Sequence, residues 1–288
     1  MIYSMTGYAV HSRDIGRGVL HLELRSVNSR YLDISFRVPE ELRALEPQLR
    51  EQIGARVNRG KVECRINLTP STTAPREPTL NQTVLRQLRT LQEAVRIELS
   101  DAAPLSVAEA LRWPGVLGDD AIAAESLQGE CAQLAAATLD EFVSTRAREG
   151  EKLAAMIASR IARMRELVGE VAPKLPAILA DYQERLAAKL RDALASADEE
   201  RIRQEVGLFA ARIDVAEELS RLGAHLDEVS RVLKHGGAAG KRLDFLMQEL
   251  NREANTLASK SVSSELTAIA LELKLLIEQM REQIQNIE

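Results

Sequence analysis

Apolar residues alternate with polar ones between residues 19 and 38. In VLHLELRSVN (19–28), Leu20, Leu22 and Leu24 fall on one side, and His21, Glu23 and Arg25 on the other. In YLDISFRV (31–38), Leu32, Ile34, Phe36 and Val38 share a side. A period of two marks half-buried strands. Asn28, Ser29 and Arg30 between them predict a hairpin. Pro39 and the acidic start of EELRALEPQLREQIGARV predict a helix, because carboxylates favour the positive end of the helix dipole. GKVECRINLTP (60–70) reads as a third strand, and IYSMTGYAV (2–10) as a fourth. Together they predict one antiparallel sheet with a helix across a face.

Beyond residue 70 the period changes. Residues 79–99 read as a helix, and residues 106–120 begin as a short helix that Pro114 and Gly115 break. Trp113, the only tryptophan, is expected to be a packing anchor. A long helical pattern runs over 121–172 and stops at Pro173 and Pro176; a second follows over 176–210. Two such helices joined by a proline-containing turn predict an antiparallel hairpin. Further helices are expected over 212–234, 240–261 and 263–288, the last capped by Ser263 or Ser264, with HGGAAG (235–240) as a break. The fold class is α+β and predominantly helical. The expected organisation is an N-terminal α+β domain (1–120), a helical hairpin (121–211) and a C-terminal helical domain (212–288).

Composition sharpens this picture at three points. Aromatics are 3% of the chain, so the core must be aliphatic. Cys64 and Cys131 have no metal-binding or CxxC spacing and read as small buried or half-buried residues in a reduced protein. The opening segment is neither basic nor a long apolar run, and no stretch approaches a membrane span, so a soluble cytoplasmic protein is expected. The net charge is −5, yet residues 1–70 carry 11 basic against 8 acidic residues. A basic N-terminal part on an acidic helical body can bind a polyanion if assembly gathers the basic surface in one place.

The helix expected at 212–234 divides cleanly at 100° per residue. Val215, Leu219, Leu222, Leu226 and Val229 form its buried stripe, while Asp214, Glu218, Arg221 and His225 form a neighbouring line. Carboxylates and an imidazole on one line suit a divalent metal or acid–base work. The helix at 240–261, GKRLDFLMQELNREANTLASKS, divides three ways. Leu243, Leu246, Leu250 and Leu257 pack; Asp244, Gln248, Asn251 and Asn255 form a polar line flanked by Arg252; Arg242, Glu249, Glu253 and Lys260 form another. Glu249 and Glu253, at i and i+4, repel each other unless a cation lies near, and Arg242 is the cation at hand. The same pattern also describes solvated helix faces and surface ion pairs. There is no HExxH, P-loop, GxSxG or dinucleotide fingerprint.

MIYSMTGYA, ELRSVNSRYLDISFRVP and RGKVE near the start, with RIDVAEELSRLGAHL, GKRLDFLMQELNREANTLASKS and REQIQNIE near the end, together resemble the YicC/YloC family. The resemblance implies an endoribonuclease that assembles as a homohexamer and uses a divalent metal, Mn²⁺ or else Mg²⁺. On that reading Glu218, Glu249 and Glu253, with Asp214 or Asp244, are candidate metal ligands. His225 would complete the site or move a proton. Arg221, Arg252 and Lys241 would hold the scissile phosphate. Arg25, Arg30, Arg59 and Lys61 are candidate backbone contacts, joined by Arg242, Asn251, Asn255 and Lys260. Tyr8, Tyr31 and Phe36 are the aromatics placed to stack on bases, with Phe36 the more core-like of the three. The rival reading is a non-catalytic RNA-binding ring that delivers RNA to other RNA-degrading enzymes.

Overall fold

The computed structural model describes residues 1–16, 18–70, 79–118, 124–193 and 199–288. Strands β1 (Gly7–Asp14), β2 (Gly18–Val27), β3 (Leu32–Arg37) and β4 (Gly60–Pro70) form one sheet in the order β1-β2-β4-β3. The predicted strands exist, but the expected hairpin does not form. β4 inserts between β2 and β3, antiparallel to the first and parallel to the second. A parallel pair needs a crossover. A 3-10 segment (Glu40–Leu45) and helix α1 (Glu46–Arg56) supply it, so the sheet is mixed. The register sets Leu20, Leu22 and Leu24 beside Leu68, Ile66 and Cys64, which puts the apolar side chains of both central strands on one face.

That face is covered by α1 and by the first half of α4 (Ala124–Val171) through Leu127, Cys131, Leu134, Leu139 and Phe142. The second half of α4 turns Leu153, Ile157, Ile161, Met164 and Leu167 into a different core. There it meets α7 (Ala216–His235), α8 (Gly240–Lys260) and α9 (Ser264–Ile284). The stripes expected on 212–234 and 240–261 are buried in this core, and Ser263 caps α9 by accepting from Leu266 N at 3.1 Å. One 48-residue helix therefore belongs to two cores.

The crossing point is polar. Arg146, 1% exposed, donates Nε–H to Ser4 O at 2.7 Å and pairs with Glu288. Glu288 Oε1 also accepts from Asn58 N at 2.7 Å and Asn58 Nδ2 at 2.8 Å. Residues 2–6, expected in the sheet, bridge to the C-terminal segment instead, with Ser4 opposite Ile287. Gly150 makes room for this, since a Cβ there would meet Ile2 O at 2.2 Å.

Two regions stand apart. Residues 176–210 were expected as one helix pairing with 121–172. They hold two, α5 (Leu175–Ala193) and α6 (Glu199–Ile213), which pack mainly on each other. Residues 79–118 form a short ribbon of β5 (Thr79–Leu80) and β6 (Leu117–Gly118) with α2 (Gln82–Glu98) and α3 (Val107–Arg112). Trp113, expected as an anchor, ends α3 and is 46% exposed. Both cysteines are buried and unpaired, as expected. Among the described residues no helix is long and apolar enough to cross a membrane.

Candidate functional site

α7 and α8 run side by side in opposite directions, and charged side chains meet along one edge of their contact. At one end Lys260 Nζ donates to Glu218 Oε1 at 2.8 Å and to Asp214 O at 2.8 Å. One turn along, Arg221 Nη1 lies 3.6 Å from Glu253 Oε1 and pairs also with Glu217 on its own helix. At the far end Glu228 accepts from Arg231 at 2.8 Å and from Arg242 Nη2 at 3.3 Å. The antiparallel register places His225 at the level of Glu249, both half-buried.

The helices position these groups for a simple reason. The leucine stripes fix which face of each helix is buried, and the polar lines predicted beside them must then border the seam. Glu218 and Glu253 lie closest to the leucines and are buried at 7% and 4% exposure. A carboxylate at such a position needs a partner. Half-buried Lys260 and exposed Arg221 reach across to these carboxylates. Arg221 is held even more firmly charged than usual, chiefly by Glu217 and then by Glu253. Arg231 and then Arg242 hold the Glu228 carboxyl down at about 2. Glu228 is absent from the sequence-derived set. Its signal was the i,i+3 spacing to both His225 and Arg231.

The other candidates are distributed as follows. Among the described residues Glu249 makes no ion pair, and Arg242 reaches Glu228 on α7 rather than the two glutamates of its own helix. Asp214 Oδ1 accepts from Ala216 N at 3.0 Å, so it satisfies a donor at the start of α7. Asp244 accepts from Gln248 at 3.2 Å, and Asn255 donates to Asn251 at 3.2 Å, both within α8. Lys241 and Arg252 are exposed. On the sheet, Arg25 and Lys61 stand on the open face beside a cavity of about 480 Å³. Arg59 donates to Ser29 O at 3.1 Å and is half-buried. The Arg30 guanidinium lies 5.4 Å from the Tyr31 ring centre.

The donors decide whether a metal suits this seam. Among the described residues no group of three or more His, Cys, Asp or Glu side chains gathers closely enough to hold one. Glu218, Glu253 and Asp214 already face cations or backbone donors. One atom is left over: Glu218 Oε2 is buried without a hydrogen-bond partner. Among the described residues the chain's own side chains therefore do not build a metal cage. What they do provide is a pair of buried carboxylates, each next to a cation that solvent can reach. That arrangement can bind a phosphate and take up a proton.

Comparison with known proteins matches the same two halves that α4 joins. Residues 2–155 match the N-terminal region, and residues 171–288 the C-terminal part, of the family described as "Endoribonuclease YicC-like". A Haemophilus influenzae protein named "Probable endoribonuclease YicC" is 42% identical over 290 residues, covering 100% of both chains. A Clostridioides difficile protein with the same name is 27% identical over 296 residues, again covering 100% of both. The chain belongs to the YicC-like endoribonuclease family.

Proposed function

We propose that the protein is an endoribonuclease that cuts RNA at the α7–α8 seam. The observation that carries this reading is the burial of Glu218 and Glu253 against Lys260 and Arg221, in a chain similar over its whole length to proteins named probable endoribonucleases. A structural ion pair has no need of a cation that is half exposed beside a carboxylate that is not. A phosphate does. When an RNA phosphate competes for Lys260 or Arg221, the buried carboxylate loses its counter-charge and is left needing a new hydrogen-bond donor, which the attacking hydroxyl or water supplies. It can then take the proton of the attacking hydroxyl or water as the oxygen–phosphorus bond forms. The two cations steady the charge that gathers on the phosphoryl oxygens. His225, next along the line, is the candidate to return a proton to the leaving oxygen.

The metal enters this proposal in reduced form. Hard divalent ions often take only one or two carboxylates and fill the remaining positions with water and phosphate oxygens. Glu218 Oε2 is the donor this chain offers to such a Mn²⁺ or Mg²⁺ ion. Assembly into a ring, six subunits by the family resemblance, is supported by residues 79–118. There Ile97 is 80% exposed, Val107 76%, Leu99 63% and Leu91 56%, an apolar surface that a lone subunit leaves in water.

The binding-only alternative keeps one observation in its favour: each buried carboxylate is already paired with a cation. Incubating the purified protein with end-labelled RNA, in Mn²⁺ and in EDTA, separates the two. Internal cleavage in Mn²⁺ is expected; cleavage that survives in EDTA would show that the two carboxylates and their cations suffice, and cleavage that EDTA abolishes would show that an ion at Glu218 Oε2 is needed. RNA retained but intact in both conditions would overturn the enzymatic reading. Light scattering that gave a stable monomer at micromolar concentration would overturn the ring.

A further inference from the structure

The open face of the sheet is not a plain solvated surface. Cross-strand register sets Tyr8, Arg25, Glu63 and Ser35 in one row, and Val27, Lys61 and Asp33 in the next. The two rows bound the cavity of about 480 Å³, whose lining includes Arg25, Val27, Asp33, Ser35 and Lys61. That volume lies within the usual range for small-ligand sites, about 300–1,000 Å³, and suits one nucleotide rather than a duplex.

Charge within the cleft is unevenly paired. Glu63 is bound by Arg65 at 3.0 Å and Arg37 at 2.8 Å, and these contacts, with a lesser pull from the cross-strand Arg25 charge, hold its carboxyl below the usual range. Arg25, Lys61 and Asp33 make no ion pair among the described residues, although Lys61 and Asp33 are direct cross-strand neighbours. Apolar and aromatic surface flanks them: Tyr8 is 51% exposed, Val27 41% and Tyr31 67%. Free cations suit phosphates, and exposed rings suit unstacked bases. Asp33 suits neither. A carboxylate only accepts hydrogen bonds, and it repels a phosphate. The neutral group of an RNA strand that satisfies it is a base edge rich in N–H donors. Guanine alone offers two adjacent donors on its pairing edge, N1–H and N2–H, which a carboxylate accepts together. Adenine and cytosine offer one amino group each.

We infer that this cleft is a single-nucleotide subsite for unpaired RNA, in which Arg25 and Lys61 hold the flanking phosphates and Asp33 selects guanine. The inference rests on the RNA-binding reading above and adds a base preference to it. The test uses the full chain and fluorescent oligouridylates with one central position varied. A central guanine should bind about tenfold more tightly than uridine, the scale of one two-hydrogen-bond base contact, with inosine, which lacks the 2-amino group, in between. Asp33→Asn should erase the preference and leave the salt dependence of binding unchanged, since no phosphate contact is lost. Lys61→Ala should weaken every oligonucleotide alike and keep the preference. Asp33 is exposed on its strand, and a thermal melt checks that Asp33→Asn folds. Parental binding without a guanine preference, or a preference that survives Asp33→Asn, overturns the subsite and leaves RNA binding standing. Failure of the parent to bind any oligonucleotide overturns both.

Discussion

The sheet face and the α7–α8 seam both carry charges set beside apolar surface, but they treat those charges in opposite ways. On the sheet, Arg25 and Lys61 are exposed and, among the described residues, without an ion-pair partner. On the seam, buried Glu218 and Glu253 are matched to Lys260 and Arg221. An unpaired exposed cation gives up little on meeting a phosphate, so the sheet is ready to bind. A paired cation must leave its carboxylate first, so phosphate entry at the seam changes the state of a buried group. On the proposed function, the first arrangement would hold a strand, and the second would let binding prepare chemistry.

The largest effect is expected where the buried carboxylates are neutralised. Glu218→Gln and Glu253→Gln keep the side-chain shape and remove the proton acceptor. Single-turnover cleavage of a labelled RNA should fall roughly 100-fold, or about 3 kcal/mol of barrier, within the range for losing a general base. RNA affinity should hold or rise, because negative charge near phosphate is gone. A purely structural seam predicts the reverse pattern, a lower melting temperature with cleavage intact in whatever stays folded. Glu249→Gln sharpens the point: with no cation paired to it among the described residues, its effect should be the weaker.

Next in size is the sheet. Arg25→Glu with Lys61→Glu should weaken binding of many RNAs alike. Each lost single-strand phosphate contact should also flatten the logarithmic salt dependence by about 0.7. Arg59 does not belong in the same variant. It donates to Ser29 O and is half-buried, so its loss would disturb the turn as well as the charge. A double variant with an unaltered salt slope would mean that the strand runs elsewhere.

Local pattern carried the reading of the sequence a long way, and topology is where it stopped. Alternation at Leu20, Leu22 and Leu24 and the stripe from Val215 to Val229 report burial at their own positions, and both are buried. Nothing local says that β4 passes between β2 and β3, because that choice belongs to a crossover of about twenty residues closed by sheet pairing. The polar lines on α7 and α8 were legible one helix at a time, but their partners were not. Arg242 was the cation on the same helical line as Glu249 and Glu253, yet Arg221 and Lys260 are the ones that face the buried carboxylates across the seam. Nothing in the local pattern singles out Arg146, in the middle of a long helix, or its partner Glu288. Only the meeting of two cores on α4 shows why an arginine there is buried.

A smaller effect separates the rigid side of the sheet from its open side. Burial pushes the Cys64 thiol up to about 12 and the Cys131 thiol up to about 11. The reactive thiolate is therefore scarce at neutral pH, and neither sulfur is open to solvent. Both thiols should react with an aromatic disulfide reagent only as fast as the sheet–α4 core opens, and denaturant should release two equivalents together. Rapid labelling of either in the native protein would show that α4 lifts from the sheet far more readily than its packing implies.

The smallest expected effect lies at the far end of the seam. Arg231 and then Arg242 hold Glu228 at about 2, against an ordinary value of 4.5. A carboxyl depressed on folding contributes stability that is fully present above its unfolded value and is lost as pH falls toward the folded one. The window here runs from about pH 4.5 down to about 2. Glu228→Gln removes the contribution at every pH. The melting temperatures of parent and variant should thus differ by a constant amount above pH 5, and the gap should close as pH falls through the window. Arg231 and Arg242 are both more than half exposed, so the gap should be slight and should shrink in high salt. Glu218 and Glu253, buried beside their cations, should show much weaker salt dependence in the matching glutamine variants. If the Glu228 gap persisted unchanged down to pH 2, the ion pairs at this end would be absent in solution, and the graded seam, tight at Glu218 and loose at Glu228, would lose its exposed end.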